Sequence, residues 1–169
     1  MTTPEYTDMY AQSKSDTVYR KITSDYVSTI NVDGKEILKV EAEGIRLLTA
    51  QAMKDIAHLL RTSHLEKLAK ILKDPEASDN DRFVATELLK NANIASGMVL
   101  PGCQDTGTGI IMGKKGQYVW TDDDDAKAIN QGVIDTYTQT NLRYSQLAPQ
   151  SLFEEKNTKT NGPAQVDLY

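Results

Sequence analysis

The 169-residue chain contains a single cysteine, Cys103. One thiol excludes an internal disulfide and any metal site built from several thiolates of this chain alone, and it suits a reducing compartment, the cytoplasm. No apolar run approaches the ~20 residues of a membrane span. The opening MTTPEYTDMYAQSKSD lacks a basic-then-apolar signal pattern, and it lacks the Arg-rich, acid-poor make-up of a transit peptide. Basic charge is in deficit: 19 Lys and Arg stand against 24 Asp and Glu, with no basic stripe, so nucleic-acid binding is not the expected task. The two histidines, His58 and His64, are six residues apart and share no metal-binding helical face. No internal repeat is present. The length fits one domain, since domains cluster at roughly 100–150 residues.

Residues 1–17 are polar and without periodicity, and are expected to form a flexible arm; residues 18–169 form the domain. Asp25–Ile30 and Ile37–Val40 are rich in β-branched residues and flank Asp33-Gly34. That dipeptide tolerates positive φ at both positions, which predicts a hairpin turning at 33–34. Ile45, Leu48, Ala52, Ile56 and Leu59 recur at helical spacing and predict one inward face. Ser63 with Glu66 reads as a capping box opening a helix over 64–73, with Leu65, Leu68 and Leu72 inward and Asp74-Pro75 closing it. Asp79 or Asn80 can cap a third helix, about 80–96, burying Val84, Leu88, Ala92 and Ala95. A strand is expected at 110–112. Thr121 can cap a long helix carrying Asp122–Asp125 at its positive end, with Ile129, Val133, Tyr137 and Tyr144 buried and Leu147-Ala148-Pro149 as its stop. Residues 150–163 read as a polar loop and 164–169 as a strand. That strand runs to the last residue, so the chain is expected to be part of a longer polypeptide. The fold class expected is α+β: a β-hairpin and a bundle of about four helices, with short strands around a glycine-rich loop.

Six of the ten glycines lie within residues 97–116. The stretch is not a Walker loop, because Thr108 and Lys115 stand where glycine and Ser/Thr are required. It is not a dinucleotide fingerprint either, because Met112 takes the place of the third glycine. Gly107 and Gly109 remove side chains where a ligand or another strand could approach. A thiol, an amide, a carboxyl and two hydroxyls follow one another from Cys103 to Thr108. On residue types alone this is either a binding site or a solvated turn holding a structural cysteine. Lys114-Lys115 marks a loop edge, Trp120 a packing position, and Asp122–Asp125 helix N-terminal charge rather than a metal site, since neighbouring helical residues diverge by about 100°.

Leu100-Pro-Gly-Cys-Gln-Asp-Thr-Gly-Thr-Gly109, followed by Ile111-Met-Gly-Lys-Lys-Gly116, resembles the cluster-binding loop of class I iron–sulfur fumarate hydratases. Asp74–Ser78, Asn141–Ser145 and Asn157–Tyr169 resemble further stretches of that family in the same order, so the resemblance covers most of residues 25–169, as the N-terminal portion of such an enzyme. Members commonly carry alanine where Gly109 stands.

The resemblance implies a hydro-lyase that interconverts fumarate and L-malate at the open iron of a [4Fe–4S] cluster. Cys103 falls on one of the family's three cluster ligands, and the other two lie outside this chain. Gln104 and Arg143 fall on substrate-binding positions, where an amide donor and a guanidinium fork suit carboxylates. Asp105 falls on the catalytic position that handles the C3 proton. Arg143 could equally form a surface ion pair, and Asp105 an Asx-turn. The chain alone is expected to hold no cluster and to be inactive. Its partners would be the remainder of the polypeptide or a second subunit, in a homodimer when complete, with neither nucleic acid nor membrane. A tartrate dehydratase-type hydro-lyase shares the loop, and a non-catalytic assembly or regulatory fragment is a further alternative.

Overall fold

The computed structural model describes residues 5, 18–103, 106–122 and 124–169. The arm expected at 1–17 therefore lies outside the described residues, Glu5 apart. The described fold is α+β, as expected, with four helices and short strands in three small sheets.

Strands β1 (Val27–Val32) and β2 (Lys35–Val40) form the hairpin, with Val32 opposite Lys35. Asp33 (φ 51°) and Gly34 (φ 78°) supply the two positive-φ positions of the turn. Helix α1 (Ala42–His58) follows, then α2 (Thr62–Ile71) and α3 (Asp79–Ala95). Strand β3 (Ile110–Gly113) carries the end of the glycine-rich segment. Strand β4 (Val119–Thr121) lies parallel to β2 and completes the first sheet. Helix α4 (Asp125–Gln139) packs along α1. Strands β5 (Ala148–Pro149) and β6 (Glu155–Lys156) make a two-residue pairing, and β7 (Gln165–Leu168) runs parallel to β3.

Small residues set the α1–α4 pairing. A Cβ on Gly132 would lie 2.5 Å from the Arg46 carbonyl oxygen and 2.7 Å from Thr49 Cβ, so only glycine permits this approach. The Thr136 hydroxyl donates across the interface to the Ala50 carbonyl at 3.0 Å. Arg46 bridges Glu43 on its own helix and Asp135 on α4, which raises its pKa and holds the Glu43 carboxyl below the usual range. Thr49, Met53, Ile129 and Val133 are buried here.

This pairing corrects the α1 face read from the sequence. Leu48 and Ile56 are 57% and 70% exposed, and Ala52 and Leu59 are exposed with them. Periodicity identifies a stripe but not its partner, and the close approach at Gly132 selects the Thr49–Met53 side instead. On α3, Ala85 and Ala95 are buried while Val84 and Leu88 are exposed, for the same reason.

The caps differ too. Arg61 is the α2 N-cap and makes no side-chain cap bond, so the Ser63–Glu66 box does not form and the helix begins a residue earlier than Ser63. Ser78, not Asp79 or Asn80, caps α3: its hydroxyl accepts from the Asp81 amide while the Asp81 carboxylate accepts from the Ser78 amide. The Ser78 hydroxyl also donates to the Asp81 carboxylate at 2.7 Å, and this bond, with that from the Ser78 amide, holds the Asp81 carboxyl below its usual range. Thr121 belongs to β4, and Asp124 caps α4 by accepting from the Ala126 and Lys127 amides. Helix α4 stops at Gln139, well before Pro149, where the Thr138 and Thr140 hydroxyls bond to carbonyls of its last turns. Tyr144 is thus beyond the helix and exposed, and the loop expected at 150–163 contains β6.

Candidate functional site

The glycine-rich segment leaves α3 and crosses the end of α1 before entering β3. Proline and glycine give it few side chains to bury, so it is held chiefly by hydrogen bonds. The Gly102 amide donates to the Ala57 carbonyl at 2.8 Å. That carbonyl belongs to the last turn of α1, where no helical amide remains to take it. The next amide, Cys103 N–H, donates to Asn91 Oδ1 of α3 at 2.9 Å. The Cys103 residue itself is exposed. Gln104 and Asp105 lie outside the described residues.

Past them the loop is gripped from the other side. Asn161 is fully buried, with φ of 57°. Its Nδ2 donates to the Gly107 carbonyl at 2.9 Å, and its Oδ1 accepts from the Gln146 amide at 3.0 Å. The Gln165 amide donates to the Gly109 carbonyl at 2.9 Å, which starts the β3–β7 pairing. The Ala164 amide donates to Asn130 Oδ1 of α4, and Gln146 Nε2 to the Pro163 carbonyl, both at 2.8 Å. The Asn157–Tyr169 stretch is therefore the buttress of the glycine loop. The Gly162–Pro163 peptide bond within it is cis.

Arg143 follows the α4 exit. Asn141 Nδ2 donates to the Val99 carbonyl at 2.9 Å, which ties this segment to the start of the loop. Arg143 Nη2 then lies 3.4 Å from the Thr106 hydroxyl. The structure thus joins the Arg143 segment to the Cys103 loop at both ends of the loop, although Arg143 and Cys103 are forty positions apart in sequence.

A Cβ on Gly107, at φ of 148°, would meet nothing within 4 Å. By contrast, one on Gly109 would meet Val133 Cγ1 at 3.4 Å and Met53 Cε at 3.7 Å, so Gly109 is a packing position. Behind Cys103 a cavity of about 320 Å³ is lined by residues including Met53, His58, Asn91 and Tyr137. Burial pushes the Tyr137 phenol up. His58 is 2% exposed; its Nδ1 lies 2.7 Å from the Lys54 carbonyl and must donate there, which leaves Nε2 buried with no partner among the described residues. Among the described residues no group of three or more His, Cys, Asp or Glu side chains could hold a metal ion.

Lys115, Asp125 and Asp122 serve the fold. Lys115 donates to Asp125 at 2.5 Å and to the Thr121 hydroxyl at 3.1 Å. Burial raises the Asp125 carboxyl pKa, but the Lys115 and Thr121 bonds outweigh it and the net shift is downward. Asp122 accepts from the Ala42 amide at 3.0 Å and so anchors the start of α1.

The sequence matches the family described as fumarate hydratase (fumerase) over residues 46–169. The chain belongs to the fumarate hydratase family. It is 51% identical over 164 residues to the aerobic class I fumarate hydratase of Escherichia coli K12, covering 97% of this chain and 30% of that protein. The anaerobic class I fumarate hydratase of the same strain matches to the same extent. The mitochondrial fumarate hydratase 1 of Leishmania major is 52% identical over 159 residues, covering 93% of this chain and 29% of that protein. The chain thus spans about 30% of the length of these fumarate hydratases and corresponds to their N-terminal portion. Among the described residues no helix is long and apolar enough to cross a membrane.

The asparagines that hold the loop carry no distinctive sequence signal, and residue-type reasoning passed over Asn91, Asn130 and Asn161. Asn161 sits in the quoted Asn-Gly-Pro stretch, where a turn residue tolerant of positive φ was a usable clue.

Proposed function

We propose that this chain supplies one wall of the active site of an iron–sulfur fumarate hydratase that interconverts fumarate and L-malate. The observation that carries the reading is the joining of Arg143 to the Cys103 loop through Thr106. An exposed soft thiol and open backbone at Gly107 on one loop, with a guanidinium brought to that loop from the segment after α4, suit a site for a metal–sulfur group and an anionic substrate.

One thiolate fits as one corner of a [4Fe–4S] cluster, with Cys103 as ligand and the other ligands supplied by the rest of the polypeptide or by a second subunit. When bound, the cluster supplies a Lewis acid toward the substrate's oxygen atoms. The chain's own residues do the rest. Arg143 and Gln104 hold carboxylates of the dicarboxylate substrate and fix which face it presents. Asp105 takes the proton from C3 of malate as the C2 hydroxide departs and the C=C bond forms; the proton then passes from Asp105 to the departed hydroxide to give water, and hydration runs the same transfers in reverse. The 18–169 segment acts as the N-terminal domain of a cytoplasmic homodimer, and alone it holds no cluster and does not turn over.

The test is malate dehydration followed by fumarate absorbance in the full-length protein, with tartrate run in parallel. Fumarate production that Cys103→Ser and Asp105→Asn each abolish, and that Arg143→Lys impairs chiefly in KM, supports the reading. Preferential turnover of tartrate would reassign the substrate. Wild-type turnover by Cys103→Ser would sink the proposal.

A further inference from the structure

Two consecutive amides at the cysteine are taken by two different helices. Gly102 N–H goes to the α1 terminus at Ala57, and Cys103 N–H goes to the Asn91 side chain of α3. The first bond is backbone to backbone and would survive any substitution that leaves α1 intact. The second depends on one side chain. Asn91 is half-buried on α3, and its amide oxygen reaches out of the helix to the Cys103 backbone. The Cys103 side chain is left exposed, so the backbone is fixed while the thiol stays free to bond elsewhere. A thiolate that must meet a preformed inorganic group gains from this arrangement, because its Cα position is set before binding.

From this geometry we infer that Asn91 is the positioning residue for Cys103. It touches neither cluster nor substrate and acts only by holding the ligand's backbone. The inference rests on the reading of Cys103 as a cluster ligand. Loss of one net hydrogen bond of this kind corresponds to about a fivefold change in the population of the held loop.

The experiment uses the full-length protein, reconstituted anaerobically with iron and sulfide, as wild type, Cys103→Ser, Asn91→Leu and Asn91→Asp. Leucine removes the acceptor at similar size, and the adjoining cavity gives it room. Aspartate keeps an acceptor oxygen in place. The readout is the visible absorbance of the cluster and its rate of loss to a chelator. Expected is loss about fivefold faster in Asn91→Leu, with rescue toward the wild-type rate in Asn91→Asp, at a melting temperature close to wild type. Wild-type retention in Asn91→Leu, with the cluster lost in Cys103→Ser, would overturn the role of Asn91 alone. Wild-type retention in Cys103→Ser would overturn the ligand reading beneath it. If Asn91→Leu does not fold, Asn91→Ala takes its place on the same criteria. An Asn91→Asp protein as leaky as Asn91→Leu would also count against the inference, since the acceptor would then not be what matters.

Discussion

Asn161 offers the sharpest perturbation of the loop. It is fully buried, and both ends of its amide are used: Nδ2 on the Gly107 carbonyl, Oδ1 on the Gln146 amide. Asn161→Ala deletes both bonds and leaves a half-buried carbonyl and a buried amide without partners. Each orphaned group costs about 1–3 kcal/mol, less where water enters the vacated space. The residue also sits at positive φ, which alanine tolerates about 1 kcal/mol less well than asparagine. Together these give about 3–5 kcal/mol. At about 2–4 °C per kcal/mol for a chain of this size, the melting temperature should fall by about 6–20 °C. Asn161→Gly separates the parts, because it restores backbone freedom but not the bonds, and should recover only about 1 kcal/mol. The assay is thermal unfolding of the chain by circular dichroism, paired with the alkylation rate of Cys103. Because Gly107 lies four residues from Cys103, a freed loop should also alter thiol reactivity. A melting temperature within 2 °C of wild type for Asn161→Ala would refute the reasoning. So would full recovery in Asn161→Gly, which would assign the whole effect to φ.

Gly132→Ala should destabilise the chain by about 2 kcal/mol, since overpacking against the Arg46 carbonyl and Thr49 outweighs the roughly 1 kcal/mol gained in helix propensity; urea denaturation reads this, and a stabilised variant would contradict the α1–α4 spacing. Gly109→Ala should be neutral or stabilising by up to about 1 kcal/mol, because its Cβ would meet only side-chain atoms at ordinary distances; a clear loss of stability in the same assay would count against it. Asp125 has its folded pKa below the unfolded value, so its contribution is present above the unfolded pKa and is lost as pH falls through the folded pKa. Stability measured between pH 6 and pH 3 should therefore drop less steeply in Asp125→Asn than in wild type, and parallel curves would show that the Lys115 pairing carries no linkage.

Much of this fold is written in local signals. Asp33-Gly34 places the hairpin, and the apolar run Ile110–Met112 and the alternation of Val166 and Leu168 with polar residues place two strands, because these depend on the conformations that a few neighbouring residues permit. The site loop stood out through its glycines, and the likeness of its motif supplied its chemistry. What local signals do not carry is partnership. The stripe from Leu48 to Leu59 has the right period, yet it faces outward, because the choice of face is made by Gly132 eighty residues away. Caps fail in the same manner. Ser63 and Glu66 have the spacing of a box, but Arg61 takes the N-cap position, and Ser78 closes its box with Asp81 rather than Glu. For the site, Arg143 stood out only through the resemblance, with a surface ion pair as its alternative, nothing local in the sequence brings it to Thr106, and no pattern in α3 marks Asn91 as a support for Cys103.

The recurrent device around the loop is the asparagine side chain, and its repetition has a physical reason. A segment made of glycine, proline and short polar residues has little apolar surface to bury, so the hydrophobic term that fixes helices is weak there. Its free groups are backbone amides and carbonyls, and one amide side chain can satisfy either kind. Asn91 and Asn130 accept, from Cys103 and Ala164; Asn141 donates, to Val99; Asn161 does both. The four differ in burial, and burial ranks their expected effects. Asn141 is exposed, so water replaces its bond and Asn141→Ala should cost under about 1 kcal/mol, whereas the fully buried Asn161 should cost several times that. Asn91 and Asn130, half-buried, should fall between. Equal destabilisation across the four alanine variants, measured by urea unfolding under one condition, would show that loop order comes from something other than these bonds. A graded series would show that the loop is held chiefly by polar contacts, which lets Cys103 stay exposed without surrendering the loop's geometry.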